Sequence, residues 1–100
     1  MMNWIKKALG VGDAVEARVL IEKGSAVIDV RTKAEYADGH LEGSINIPLD
    51  QIATKVKDIK KMKQPIVTIC RSGARSGSAA RILNDSGIEA INGGAWVGLR

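Results

Sequence analysis

The chain has 100 residues, 45% of them hydrophobic, with two Trp, one Tyr and no Phe, which suits one domain with an aliphatic core. A single cysteine excludes an internal disulfide framework, and no run approaches the ~18 apolar residues of a membrane span. The net charge of +4 favours anionic ligands only weakly, because five of the nine lysines lie in "KVKDIKKMK", residues 55–63, which reads as a solvated helix face rather than a nucleic-acid patch.

The opening "MMNWIKKALGVGDAV" has no clean apolar h-region, so the expected location is cytoplasmic, or periplasmic if a signal peptide has been removed. Residues 1–12 are expected to form an extension or short helix, which Trp4 and Ile5 would dock or anchor at an interface. "GDAVEARVLIEKG" predicts a helix capped by Asp13 with Glu16 three residues on and ended by Gly24. "AVIDV" then predicts a strand buried on both faces. Thr32 and Glu35 repeat the capping signal for a short helix closed by Gly39, and "SINIP" is a strand stopped by Pro48.

"LDQIATKVKDIKK" places Leu49, Ile52, Val56 and Ile59 on one face of an amphipathic helix that Asp50 can cap. "PIVTIC" is the strongest strand signal. "SGSAARILNDSG" predicts a helix beginning near Ser76, with Ala79, Ile82 and Leu83 inward and Gly87 at its end. "IEAIN" is a last short strand, and "GGAWVGLR" a turn with a final helical turn. Strands alternating with helices imply an α/β fold, a small parallel sheet flanked by helices on both faces. Ligands of such sheets bind beyond the carboxyl ends of the strands, where Cys70 lies.

The loop after Cys70, "RSGARS", supplies Arg71, Ser72, Gly73, Ala74, Arg75 and Ser76. Its small residues let consecutive backbone N–H groups turn inward as an anion nest, and the next helix aims its positive end at the sulfur. The two arginines add full charges. Each influence favours thiolate over thiol, the condition for a reactive cysteine, whereas an inert core cysteine requires none of them. Ser72 and Ser76 can donate hydroxyls to a bound sulfur, and Arg71 either binds a donor or stands at the entry as an attracting charge.

"VIDVRTKAEYADGHLEGSINIP" followed by "VTICRSGARS" resembles the rhodanese domain in its short single-domain form. The second segment matches that family's active-site loop, Cys-x-x-Gly-x-Arg, through Cys70, Gly73 and Arg75. "INGGAWVGLR" resembles its closing Gly-Gly-x-x-x-Trp stretch, with Trp96 one position early. The likeness covers residues 13 to 98, with a rhodanese-like domain expected over 13–100. It implies a sulfurtransferase in which Cys70 takes the outer sulfur of an anionic donor such as thiosulfate and passes it to a thiol or protein acceptor. No metal or organic cofactor is implied, and a monomer is expected.

Asp29, Arg31 and Glu35 near the other strand end read as structural support, with Arg31 able to pair with Glu35 four residues on. His40 invites a general-base role that a nest-activated thiolate does not need. Tyr36 and Trp96 read as core or lid. Three rivals stand beside the thiosulfate enzyme: a persulfide carrier to a protein partner, a cysteine phosphatase or arsenate reductase, and a binding module without activity. Phosphatase loops resemble Cys-x5-Arg, one residue longer than the span from Cys70 to Arg75.

Overall fold

The computed structural model describes residues 14–100. The expected N-terminal extension with Trp4 and Ile5, and the Asp13 cap, lie outside the described residues. In chain order, helix α1 (Ala14–Glu22) is followed by strand β1 (Val27–Asp29), helix α2 (Lys33–Ala37) and strand β2 (Ile45–Asn46). Helices α3 (Leu49–Ile52) and α4 (Val56–Lys60) flank a 3-10 turn (Ala53–Lys55). Strand β3 (Ile66–Cys70), helix α5 (Ala74–Asp85), strand β4 (Ala90–Ala95) and a 3-10 turn (Trp96–Gly98) complete the fold.

These strands make one parallel sheet in the order β2-β1-β3-β4. The β-branched residues of "IVTIC" make β3 a central strand, buried along its whole length. Alternate side chains serve opposite layers. Ile66 and Cys70 face a core with Ile28, Val30, Ile52, Ile59, Ala79 and Leu83 beneath α3, α4 and α5. Val67 and Ile69 face a second core with Ala17 and Ile91, closed by Leu20, Ile21, Trp96 and Leu99. Helices thus cover both faces of the sheet. Truncating a side chain as buried as Ile28 or Leu83 to alanine costs about 2–5 kcal/mol.

The chain leaves β1 towards β2 on one side and returns to β3 on the other. The crevice between the carboxyl ends of β1 and β3 is therefore the switch point at which open parallel sheets bind ligands. Both Asp29 and Cys70 end their strands there.

Four expectations are corrected. The single helix expected over residues 49–61 breaks at the Ala53–Lys55 turn, where the Thr54 hydroxyl donates back to the Gln51 carbonyl at 2.8 Å and competes for a helical acceptor. Its apolar face survives, with Ile52 and Ile59 fully buried, but Pro48 rather than Asp50 occupies the cap position. Helix α5 starts at Ala74, two residues before Ser76. Strand β4 runs on through Gly93 and Gly94 because a bulge keeps it paired: Thr68 opposes Asn92, whereas Ile69 opposes Gly94 and Cys70 opposes Ala95.

Candidate active site

Cys70 ends β3 fully buried, and three residues, 71–73, carry the chain from it into α5. Gly73 is the cap residue of α5, with φ of 105° in the left-handed region that glycine alone enters without steric cost. No side chain caps the helix. Its orphan N–H groups turn instead to the cysteine: Gly73 N lies 3.0 Å and Ser76 N 3.4 Å from Sγ. The sulfur occupies the place of an N-cap acceptor, at the positive end of a 12-residue helix. The Ser76 hydroxyl sits 3.3 Å from Sγ on the same side.

Burial is the largest single influence on the thiol and pushes it up. The Ser76 hydroxyl, the Ser76 N–H and the N–H groups of Gly73 and Ser72 together outweigh it and hold Cys70 below the ordinary thiol value. The arrangement can therefore stabilise an anionic sulfur, and it is built from backbone groups that need no reorganisation to do so.

Of the expected loop residues, Gly73 and Ser76 meet the sulfur directly. Arg71, Ser72 and Ala74 are exposed at the rim, and Arg71 has no side-chain partner among the described residues. Arg75 turns to Glu35 in a two-pronged ion pair, Nη1–Oε1 at 2.7 Å and Nη2–Oε2 at 3.0 Å. The Glu35 carboxylate accepts from the Thr32 N–H at 3.0 Å as well, completing the expected capping box of α2.

The expected Arg31–Glu35 side-chain pair does not form. Arg31 and Asp29, two apart at a strand end, share a face, and the Arg31 guanidinium grips Asp29 through Nη2 at 2.7 Å and Nε at 3.0 Å. Arg31 donates further to the carbonyls of Gly39 at 2.8 Å and Glu35 at 3.3 Å, and lies 4.8 Å from the Trp96 ring centroid. Both members of this pair are buried, so removing one leaves a stranded charge costing about 3–5 kcal/mol. His40 is exposed, stacked on Tyr36 at 3.7 Å with its Nδ1 against the Tyr36 carbonyl. Among the described residues no cluster of His, Cys, Asp or Glu is placed to hold a metal ion, and no helix is long and apolar enough to cross a membrane.

One residue of the site carried no signal in the sequence. Asn92 in β4 accepts from the Ser76 hydroxyl at 2.7 Å and from the Gly94 N–H at 2.9 Å, and its Nδ2 donates to the Gly73 carbonyl at 2.9 Å. Only the pairing of β4 with β3 brings it to the loop.

Fold and site together define an α/β protein that holds an activated cysteine thiol at the switch point of a parallel sheet. The chain belongs to the rhodanese-like sulfurtransferase family, matching the model of the rhodanese-like domain over residues 13–95. The candidate sulfurtransferase YtwF of Bacillus subtilis is 33% identical over 89 residues, covering 85% of each chain. The thiosulfate sulfurtransferase PspE of Escherichia coli is 36% identical over 61 residues, 60% of this chain and 59% of that protein. Among solved structures, reduced CoADR-RHD of Bacillus anthracis superposes with a TM-score of 0.78 at 30% identity, over 98% of this chain. This chain spans 17% of that one, and 51% of the length of a further Bacillus subtilis relative.

Proposed function

We propose that the protein is a sulfurtransferase in which Cys70 carries sulfur from thiosulfate, or a similar sulfane donor, to a thiophilic acceptor. The observation that supports this reading most directly is the convergence of the Gly73 and Ser76 N–H groups on the Cys70 sulfur, at 3.0 and 3.4 Å. The Cys70 thiolate attacks the outer sulfur of thiosulfate, the donor's sulfur–sulfur bond breaks, and sulfite leaves with the electron pair. The new persulfide bears its charge where the loop N–H groups point. An acceptor thiolate or cyanide then takes the outer sulfur and returns Cys70 to thiolate. Exposed Arg71 attracts the dianionic donor, while Asp29, Arg31 and Glu35 hold the frame around the loop.

The residues from 13 onward act as one unit in this reading, with 1–12 as an extension. The relationship to PspE supports thiosulfate as donor, and the rim residues Arg71, Ser72 and Ala74 are where a small thiol or a protein acceptor would approach. Intact mass after incubation with thiosulfate tests the reaction class. The expected result is an adduct of about 32 Da, one sulfur atom, on Cys70, discharged by cyanide and absent from a folded Cys70→Ser variant. Native protein that remains at its starting mass, or a Cys70→Ser variant that still transfers sulfur, would sink the reading.

A further inference from the structure

We propose that Asn92 is a positioning residue for the sulfur site: its carboxamide ties the Gly73 carbonyl to the Ser76 hydroxyl, and so holds the two N–H donors of the loop converged on Cys70. The contacts are Nδ2 to Gly73 O at 2.9 Å, Ser76 Oγ to Oδ1 at 2.7 Å, and Gly94 N to Oδ1 at 2.9 Å. The orientation of the amide follows from its backbone partners, since the Gly73 carbonyl can only accept and the Gly94 N–H can only donate. The amide oxygen must therefore face Ser76.

The task needs a donor and an acceptor on one short planar tip. Asparagine provides both. The amide tip lies close against α5, where a Cβ on Gly77 would stand 3.1 Å from Asn92 Nδ2. Without this tie Gly73 is held by its neighbours in the chain, by the Gly77 N–H on its carbonyl and by its own N–H on Cys70 Sγ, and the Ser76 hydroxyl has one anchor fewer. Ser76 has a single proton to give, so its hydroxyl cannot donate to Asn92 and to an anionic sulfur at once. The contacts that hold Gly73 in either state are Nδ2 on its carbonyl and Oδ1 on the Gly94 N–H, and the raised midpoint expected below rests on these. Of the charged groups around the site, Arg75 is occupied with Glu35 and Arg31 with Asp29, and Arg71 stands exposed at the rim, so none of them replaces the tie.

The inference rests on Cys70 being the reacting group. Its test is the pH dependence of Cys70 alkylation by iodoacetamide in native protein, Asn92→Ala and the near-isosteric, uncharged Asn92→Leu, with circular dichroism on each. The expected result in either folded variant is a midpoint raised by about one pH unit towards the free thiol value near 8.5. Turnover of thiosulfate to cyanide should fall ~10-fold in kcat with little change in KM, less than the loss of a whole oxyanion donor because the donors are loosened rather than removed. A merely structural role would lower thermal stability and leave the midpoint in place. A folded variant with the native midpoint overturns the assignment, and so does loss of the fold in both variants, which would make Asn92 a folding residue. The midpoint needs no sulfur donor. A raised midpoint in protein that never forms a persulfide would refute the sulfur-transfer reading and leave the positioning role standing.

Discussion

Glu35 serves two elements at once: its carboxylate caps α2 through the Thr32 N–H and binds Arg75 at the start of α5. The Arg75 guanidinium first, and the Thr32 N–H second, hold its carboxyl at about 2 against an ordinary value of 4.5, despite an opposing push from burial. A folded-state pKa below the unfolded one means that the unfolded chain binds the proton first as pH falls. The stabilising contribution is therefore complete above pH 4.5 and is lost between 4.5 and about 2. Both side chains are about one third exposed, so solvent and salt weaken the pair. Thermal midpoints measured from pH 5 to 2 should fall more steeply for the native protein than for Glu35→Gln, with the difference shrinking in high salt. Parallel profiles for the two proteins would show that Glu35 titrates alike folded and unfolded.

The bulge in β4 decides where the site's second wall stands. Gly93 is the extra residue, and a Cβ there would lie 2.7 Å from Val67 Cγ1, 3.0 Å from Ile69 Cγ2 and 3.1 Å from the Thr68 carbonyl. Part of that obstruction is backbone in the central strand, which cannot step aside. Gly93→Ala should cost about 3 kcal/mol, at the upper end for an overpacked core, read as a lowered urea midpoint. Gly98→Ala, where a Cβ meets nothing within 4 Å, should change stability by about 0.5 kcal/mol or less. Equal midpoints for the two variants would mean that the strand yields and the bulge is not tightly packed. The sequence announced β3, the capping box of α2 and the loop from Cys70 to Ser76 because each is written in adjacent residues. The bulge, the break at Thr54 and the choice of Asp29 over Glu35 by Arg31 depend on which chain segments become neighbours, and Asn92 reaches the loop only across the sheet. Local periodicity carries none of that information.

The sheet and α5 also fix how large a group the cysteine can carry. Between the end of β3 and the start of α5 only residues 71–73 intervene, and both ends are anchored, Cys70 beside Ala95 and Gly73 against Asn92. The N–H groups consequently close on one atom, at 3.0 and 3.4 Å. A phosphoryl group on the same sulfur brings three oxygens and needs a wider ring with a guanidinium turned into it, whereas Arg75 is turned to Glu35. The native protein should therefore transfer sulfur from thiosulfate and show negligible hydrolysis of p-nitrophenyl phosphate. Inserting one glycine between Ser72 and Gly73 lengthens the exposed loop and leaves α5 intact, so the fold should survive at small entropic cost. The N–H groups would no longer meet at the sulfur, and sulfur transfer should drop ~10²-fold or more, the cost of losing an oxyanion donor. Steady-state assays with both substrates on both proteins decide the matter. If the native protein hydrolyses the phosphate ester as readily as it turns over thiosulfate, or if the lengthened loop transfers sulfur at the native rate, ring size is not what selects the substrate.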